Sequence, residues 1–498
     1  MSPAPPVQPG PRARTDAELH ATEAETWLTW CARSPVHDAP LRGFYIHDDR
    51  EFESDTWLSS GPGSLYLGQE STHGPFLGKG DGLFALSGLV GVPIGGYTTH
   101  VYYGSPGSPS SPRDRLSTSS TAAPDPVSWV PAVRRGAHAT SVIAVQNADE
   151  HEDNQITVEV TSQAGWNLTA PDRLTFVLAP GRSRLVDFAF DDRWGDLGND
   201  FVGSARVVGS RRVAVEHIVQ SPDVKDGLAA SSGVTGRMVS EHLSAPLVAR
   251  AVAFDPTAPE LSSEIGLFNT GLVDASVTMV YTGRRTPCAG QTWSQQIQLR
   301  AGATAVVDQR AGPIPTGCVA SVEIESTVPL AAVVALSARA GATATYEVVA
   351  ADYASTEHTV RYFSHRYNVS TAVGLTNPGQ SVAHVALRMW PTTGGDEIPC
   401  PTCAVEIAPG ESTVIWYPDL ADVPTDTDGT LEVHSDVPIL AVDVKVPLEE
   451  WRDLEASRMC TPDDGLDHPG ELWVPVVASA DLHNPVQRFL PSIPAIRR

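Results

Sequence analysis

Apolar and polar residues alternate one by one along much of the chain between residues 128 and 447. In the stretch 385–389, Val, Leu and Met are separated by Ala and Arg, and residues 277–281 and 156–160 follow a similar alternation. A period of two places one set of side chains on a buried sheet face and the other set in water. Turns containing Gly or Pro interrupt these runs, so the pattern predicts short antiparallel strands.

Three landmarks recur at matching distances and divide this region into three copies. The first is an Asn that closes an apolar run, at Asn147, Asn269 and Asn377. The second is a Gly in a turn, at Gly181, Gly302 and Gly410, which is 181−147 = 34, 302−269 = 33 and 410−377 = 33 residues later. The third is a Ser predicted to open a short turn between two apolar strands, at Ser210, Ser326 and Ser435. A shared spacing over about a hundred residues predicts repeated domains rather than a short solenoid unit.

The predicted fold class is all-β, with tandem immunoglobulin-like antiparallel β-sandwich domains. A propeller is the alternative, but its blades are only about forty residues long. For the N-terminal segment 15–31, the sequence supports two alternatives, a helix and a strand. Thr15 to Glu18 resembles a capping box, which favours a helix, whereas the run ETWLTWCA at 25–32 also suits a strand.

The predicted domain boundaries follow from these patterns. They are a disordered segment at 1–22, a divergent β-rich first domain at 23–104, a Ser/Pro-rich mobile linker at 105–127, immunoglobulin-like repeats at 128–240, 241–357 and 358–450, and a C-terminal loop with an incomplete repeat strand at 451–498.

The C-terminal segment contains Trp473-Val-Pro475, which matches Trp129-Val-Pro131 at the start of the first repeat. A lone opening strand cannot bury its face by itself. One hypothesis is therefore that it adds to a neighbouring sandwich, in the first domain of its own chain or in another chain. The alternative is that it packs on the third repeat.

Composition limits the function classes. The chain has 498 residues, 41% hydrophobic residues and a formal charge of −25, which suits three to four domains and disfavours binding to nucleic acid or anionic membranes. No apolar run reaches the ~18 residues of a membrane-spanning helix. No signal peptide is visible at Met1, because MSPAPPVQPGPRAR lacks an apolar core.

Six cysteines permit disulfides in an exported protein. Cys288 and Cys318 lie within one repeat near two predicted strand ends and are the best candidate pair. Cys400 and Cys403 form a CPTC motif flanked by strands. A redox site needs a helix N-terminus and a zinc site needs further ligands, so a local disulfide or inert thiols are favoured.

Two acidic loops are weak calcium candidates, because clustered carboxylates supply the oxygen ligands that calcium takes. Their residues are Asp191, Asp192, Asp196 and Asp200 in the first repeat and Asp419, Asp422, Asp426 and Asp428 in the third. The second repeat has only PIPTG at this place, so solvated acidic loops are the favoured interpretation.

No catalytic or cofactor-binding motif stands out, and the chain is predicted not to be an enzyme. A composite active site built from distant residues is the alternative. Four tryptophans are candidates for stacking on sugars, although packing in a core or at a sheet edge is favoured. They are Trp166, Trp293, Trp390 and Trp416.

Several motifs together resemble a bacterial family of tandem immunoglobulin-like domains found on secreted and cell-surface proteins. They are WVPxV at 129–133, the apolar runs that end in the Asn of NTG or NPG, the turns LAPGRS and IAPGES, and VPxLAVxV at 437–444. The resemblance covers 128–447 and resumes at 472–476. It implies an adhesive or structural role.

The expected function is therefore a non-enzymatic, extracellular or cell-surface structural or adhesive protein, whose tandem β-sandwiches act as a scaffold for protein–protein interaction or assembly. Expected partners are proteins or further copies of the chain, with glycans as an alternative, and without nucleic acid or membrane insertion. The other candidates are a carbohydrate-binding module array, a filament or phage-type structural subunit completed by strand addition, and an enzyme with a site where the first domain meets the first repeat.

Overall fold

The computed structural model describes most of residues 124–447 and, outside that range, the backbone pairing of nine strands. The described ranges are 23–32, 41–47, 50–54, 63–66, 82–88, 94–103, 115–120, 124–136, 139–149, 151–163, 172–180, 183–188, 194, 197–198, 200–221, 227–253, 260–338, 343–366, 369–391, 396–420, 422–424, 427–447, 455–458 and 471–474.

The N-terminal domain contributes seven strands to the described structure. They are β1 (Glu23–Ala32), β2 (Leu41–His47), β3 (Arg50–Ser54), β4 (Gly63–Tyr66), β5 (Gly82–Gly88), β6 (Ile94–Tyr103) and β7 (Arg115–Ser120).

Repeat 1 follows directly. It contains β8 (Asp125–Gly136), β9 (Thr140–Asn147), β10 (Asn154–Ser162), β11 (Asp172–Leu178), β12 (Ser183–Asp187), β13 (Asp200–Ser221), β14 (Gly227–Ser232) and the two-residue β15 (Val234–Thr235).

Repeats 2 and 3 complete the chain, together with a last strand. Repeat 2 has β16 (Ser240–Arg250), β17 (Leu261–Asn269), β18 (Ala275–Gly283), β19 (Thr292–Leu299), β20 (Thr304–Asp308), β21 (Cys318–Ala338) and β22 (Thr343–Ala350). Repeat 3 has β23 (Ser355–Arg366), β24 (Val369–Thr376), β25 (Ala383–Pro391), β26 (Ala404–Ile407), β27 (Ser412–Trp416), β28 (Thr427–Pro447) and β29 (Glu455–Arg458), and β30 (Glu471–Val474) ends the described chain.

The all-β, antiparallel prediction is confirmed. Every pairing between these strands is antiparallel, and the described residues contain no α-helix. Short 3-10 helices occupy Ala351–Tyr353, Pro401–Cys403 and Tyr417–Asp419. The strand β1 covers Trp27 to Cys31, so the helix alternative for these residues was wrong, while residues 1–22 lie outside the described part of the chain.

The three repeats share one strand topology in two four-stranded halves. In repeat 1 the order is β11-β10-β13-β8 in one half and β12-β9-β13-β14 in the other, with the long β13 crossing between them. The equivalent halves are β19-β18-β21-β16 with β20-β17-β21-β22, and β26-β25-β28-β23 with β27-β24-β28-β29. The Asn and Ser landmarks therefore mark equivalent places in the three repeats, and so do Gly302 and Gly410, while Gly181 lies outside the described residues.

The predicted turn at Ser210, Ser326 and Ser435 was wrong, because each Ser lies in a bend within one continuous strand. The register of β13 against β8 shifts between Val208 and Val213, where the strand passes from one half to the other without reversing. A bulge of this kind turns a strand while keeping its direction. Sequence alone shows two apolar runs with a polar break, which a reversal or a bend explains equally well.

Each repeat buries one core between its two halves. Ile143 of β9, Ile156 of β10 and Val207 of β13 belong to one cluster of buried side chains in repeat 1. The side chains of β25 alternate between buried and exposed, as period two predicts. Both halves therefore contribute their inner faces to the same apolar cluster.

The N-terminal domain has the same strand order as the repeats, with β30, from the C-terminal part of the chain, in the place of the opening strand. Its halves are β3-β2-β5-β30 and β4-β1-β6-β7. The strand β7 lies inside the predicted mobile linker 105–127, and that interpretation was wrong for Arg115–Ser120, which pairs with β6. Ser and Thr form strands through backbone hydrogen bonds without an apolar pattern, so this segment has no hydrophobic signal.

The last strands of the four modules meet one another. We call β7, β14, β22 and β29 the closing strands, and use "module" for the N-terminal domain or any repeat. Along the chain β7 contacts β14, β14 contacts β22 and β22 contacts β29, and β29 contacts β7 again. The four modules are thus arranged in a closed circuit around their closing strands.

Candidate functional site

Three buried asparagines hold equivalent corners of the three repeats. The amide nitrogen of Asn269 donates to the carbonyl oxygens of Val273 at 2.9 Å and Leu299 at 3.1 Å, and its oxygen accepts from the Gly271 backbone at 2.8 Å. Asn147 and Asn377 bind equivalent backbone groups and are likewise fully buried. Asn can do this because one amide carries two donors and an acceptor.

The Gly landmark lies beside the Asn in space. Gly302 N donates to Asn269 O at 3.2 Å and Gly410 N donates to Asn377 O at 2.9 Å. Both glycines have a positive φ, of 66° and 70°, which L side chains rarely adopt. The Asn and Gly landmarks are therefore two parts of one corner, where the turn before β20 or β27 is attached to the end of β17 or β24.

The same kind of contact, a bulge packed on a glycine, occurs at both junctions between the repeats. At Gly266 of repeat 2, a Cβ atom would lie 2.9 Å from Ala132 Cβ of repeat 1. At Gly374 of repeat 3, a Cβ atom would lie 3.0 Å from Pro246 Cβ of repeat 2. Ala132 and Pro246 belong to bulges in the opening strands β8 and β16, where the register against the long strand shifts. The bulge of one repeat thus packs directly on the backbone of the next.

Apolar cores continue across these junctions. Trp416 and Val444 of repeat 3 belong to the buried cluster of repeat 2. A second buried cluster joins Val234, Phe268 and Leu440, which come from three successive parts of the chain. Because they share buried cores, neighbouring repeats pack as one rigid unit and are not separate domains joined by flexible linkers.

A buried carboxylate also joins two modules at their closing strands. Glu347 of β22 is 1% exposed, and its Oε1 accepts from Ser232 N of β14 at 2.6 Å and from Ser232 Oγ at 2.8 Å. Hydrogen bonds to a charged acceptor are stronger than neutral ones. Leaving such a group buried without partners is costly, so this contact ties β22 to β14.

Ion pairs cross the junctions nearer the surface. Arg134 of repeat 1 pairs with Glu264 of repeat 2, and Arg284 of repeat 2 pairs with Glu411 of repeat 3. Asp419, a calcium candidate from the sequence, instead accepts from Arg285 Nη2 of repeat 2 at 2.8 Å. Each junction therefore combines a packed bulge with oriented charges.

A small, shallow cleft opens at the junction of repeats 2 and 3. Its walls include Ser244, Glu347 and His358. His358 is buried, and its Nε2 lies 2.8 Å from Ile439 O and 3.1 Å from Ser355 O. The polar groups of the cleft thus bind backbone and neighbouring strands, which is a positioning role within the junction.

Beside the cleft, Ser244 Oγ donates to Glu323 Oε1 at 2.7 Å. Burial raises the pKa of Glu323 to about 7, and the nearby Glu325 adds to the rise, while the Ser244 hydrogen bond and the charge of Arg284 oppose it. Glu323 therefore titrates near neutral pH.

We expect the free energy of unfolding to fall by about 2–3 kcal/mol as pH rises from about 4.5 to about 7 because of Glu323. In that window the folded chain holds a proton on Glu323 that the unfolded chain has released, so raising the pH favours unfolding. Glu323→Gln should remove this part of the pH dependence, and Glu406→Gln, at an exposed position of repeat 3, should not. Thermal unfolding from pH 4.5 to 8 measures both, and parallel curves for wild type and Glu323→Gln would contradict the assignment.

The structure brings Cys288 and Cys318 together in a disulfide with a Cα–Cα distance of 5.7 Å. Cys400 and Cys403 form a second, local disulfide, with Cα atoms 5.2 Å apart. The CPTC motif in this state has neither thiolates for a metal nor a thiol nucleophile.

The calcium candidates do not converge within the described residues. Asp200 lies in β13 opposite Gly136, Asp422 accepts from Thr402 Oγ1 at 3.0 Å, and Asp428 lies in β28. The candidates at 191, 192, 196 and 426 lie outside the described residues. In the part of the chain that the structure describes, no three His, Cys, Asp or Glu side chains group together as metal ligands do.

The four tryptophans differ in their surroundings. Trp416 is buried in the junction core and Trp293 packs against that core. Trp390 is half-buried on the outer face of repeat 3, with the Arg388 guanidinium 4.9 Å from its ring centre, and Trp166 lies outside the described residues. Among these positions, Trp390 is the one that the structure places beside surface hydrogen-bonding groups.

Sequence reasoning missed one buried pair of a type that catalysis also uses. Ser141 Oγ lies 2.8 Å from His217 Nε2, and both side chains are buried. Burial, together with the charge of Arg134, lowers the pKa of His217 to about 3. The hydroxyl also accepts from the Arg134 backbone at 2.9 Å, so the pair joins β8, β9 and β13 inside the protein.

No helix among the described residues combines the length and the apolar character needed to cross a bilayer.

Comparison with known proteins gives no family. No family model matches the chain, and no curated protein matches it. Among solved structures, the Anabaena sensory rhodopsin transducer has 21% identity and a TM-score of 0.16, covering 18% of this chain and 92% of its own. Red sea bream transglutaminase has 14% identity and a TM-score of 0.11, covering 45% of this chain and 30% of its own. A mutant of Salmonella alpha-2-macroglobulin has 9% identity and a TM-score of 0.09, covering 88% of this chain and 37% of its own. These scores are too low to indicate a function.

Proposed function

We propose that this chain is a non-enzymatic structural or adhesive protein, extracellular or attached to the cell surface, whose immunoglobulin-like β-sandwich domains form a rigid scaffold for protein–protein interaction or assembly. The observation that carries the proposal is the burial of contacts across the repeat junctions. Trp416 of repeat 3 lies in the core of repeat 2, and Glu347 of repeat 2 binds Ser232 of repeat 1.

The sandwich assignment is supported by the shared topology. Seven main strands form two four-stranded halves, because the long strand takes part in both, and one core lies between the halves. Two antiparallel sheets over a common core are typical of immunoglobulin-like domains.

The use of the buried polar residues supports a structural role. Asn269, His358 and Glu347 each bind backbone or a neighbouring module. Residues that enzymes use for chemistry therefore serve here to hold strands together.

The two disulfides support a place outside the cytosol, because disulfides persist in oxidising compartments. An antibody raised against the folded chain should label intact, unpermeabilised cells of the source organism or detect the chain in the medium. A cytosolic protein of known location, probed in parallel, controls for lysis. Labelling that requires permeabilisation would contradict the proposed location.

Carbohydrate binding is the second candidate, favoured by the outer face of repeat 3. Arg388 stacks on Trp390 and binds Glu397 at 2.6 Å, and His434 Nε2 lies 2.9 Å from Glu432. Aromatic rings beside oriented polar groups are suited to sugars. A glycan array with wild type and Trp390→Ala tests this, and binding by both alike, or by neither, would count against the face.

The filament candidate depended on an unpaired terminal strand. In this structure β30 pairs with β5 of its own chain, so a filament by strand addition requires β30 to leave that position first.

A further inference from the structure

We propose that β5 of the N-terminal domain presents a strand-accepting edge specific for the Trp473-Val-Pro475 segment. In the closed circuit of four modules, β30 of the same chain occupies this edge. This inference concerns a defined surface and its occupant, and it stands whether or not the protein is adhesive.

Topology supplies the first argument. In each repeat, the first part of the long strand pairs with the strand that opens the same repeat, namely β8, β16 or β23. The N-terminal domain has no such strand before β1 among the described residues, and β30 takes that place on β5. Glu471 is opposite Ser87 and Val474 is opposite Phe84.

The amino-acid pattern supplies the second argument. In repeat 1, Trp129 and Val130 pair with β13, and the ladder is interrupted at Pro131. In β30, Trp473 and Val474 pair with β5 opposite Ala85 and Phe84, and a Pro follows them in the sequence, as it follows Trp129 and Val130. The C-terminal strand therefore has the sequence of an opening strand as well as its position.

The circuit of closing strands supplies the third argument, because it brings repeat 3 beside the N-terminal domain. β29 of repeat 3 contacts β7 of the N-terminal domain. Twelve residues separate Arg458 from Glu471 (471−458−1), and they span at most ~40 Å when extended. A tether this short corresponds to an effective concentration of about a millimolar, far above the micromolar concentration of a purified protein. Closure within one chain is therefore favoured over exchange between chains.

β30 is a short edge strand in the part of the chain that the structure describes. Four residue pairs join it to β5, as few as join β4 to β1 and β26 to β25. A strand of four residues is marginal by itself, so β30 can leave the edge of β5 and a competing strand of the same pattern can take its place.

A disulfide crosslink tests the closure in the full chain. Ser87→Cys with Glu471→Cys places two cysteines at paired Cα positions, which lie within disulfide range in antiparallel strands. After mild oxidation we expect most of the protein to be an internally crosslinked monomer with altered mobility on a non-reducing gel. The control is Leu83→Cys with Glu471→Cys, because Leu83 is four residues, or ~13 Å, away along β5. Wild type shows the background from the native cysteines.

Two results would overturn the proposal. A covalent dimer as the main product would place β30 on a second copy, and equal crosslinking at Ser87 and Leu83 would mean that β30 has no fixed register on β5.

Peptide binding gives an independent measurement. Val474→Pro in the full chain removes a donor from β30 and should open the edge. A fluorescent peptide of residues 469–478 should then bind this variant at least tenfold more tightly than wild type, whose edge is occupied. The same peptide with the Val474→Pro change should bind neither. Equal binding of the native peptide to both proteins would contradict the proposal that β30 occupies the edge of β5. If the variant fails to fold, the crosslinking experiment tests the proposal instead.

Discussion

Replacing Asn269 with Ala should lower the free energy of unfolding of repeat 2 by about 3–4 kcal/mol. The side chain is fully buried and satisfies the Val273 and Leu299 carbonyls and the Gly271 N–H. Ala leaves these backbone groups without their partner, and each buried unsatisfied group costs about 1–3 kcal/mol. Chemical denaturation of the full chain, followed by circular dichroism, measures the loss.

Two matched variants make this result specific. Asn377→Ala should have a similar cost in repeat 3, because it removes the equivalent contacts. Gln296→Ala, at an exposed position of repeat 2, should change stability by less than about 0.5 kcal/mol. A loss under about 1 kcal/mol for both Asn variants would show that the corners are held by packing instead.

The double change Cys288→Ser with Cys318→Ser should destabilise repeat 2 by about 3–4 kcal/mol. The disulfide closes a loop with a sequence separation of 30, and both cysteines are buried. Without it, the unfolded chain gains the freedom of that loop. Thermal unfolding of wild type and the double variant, both in a non-reducing buffer, measures the loss.

The local disulfide between Cys400 and Cys403 is the control for the effect of loop length. Cys400→Ser with Cys403→Ser removes a bond with a sequence separation of 3, for which loop closure predicts only about 2 kcal/mol. Equal costs for the two double variants would mean that loop length is not the source of the stabilisation.

The local parts of this fold could be predicted from the sequence. Strand character follows from period two, and the landmarks at Asn269 and Gly302 recur because each repeat needs the same corner. Both signals depend on residues close together in the chain or at a fixed spacing. The bend at Ser326 was predicted as a turn, because a polar break between apolar runs does not specify the direction of the chain.

Contacts between modules could not be predicted in this way. Glu347 binds Ser232 across 115 residues, and Gly266 lies against Ala132 of another repeat. No local pattern encodes such partners. One signal was present, however, because Glu347 is the lone charge in the strand TATYEVVA, and a charge among small and apolar strand residues indicates a buried pair.

The contact of a Pro- or Ala-bearing bulge on a glycine has a direction, since the two surfaces that meet are different. Head-to-tail contacts of this heterologous kind either wind into an open spiral or return to their starting point after a set number of units. In this chain four modules make up the circuit, because β29 of repeat 3 contacts β7 of the N-terminal domain. A duplication that inserted a fifth module after repeat 3 would therefore not simply lengthen the molecule, since it would move β30 away from β5 and leave the N-terminal domain without that strand.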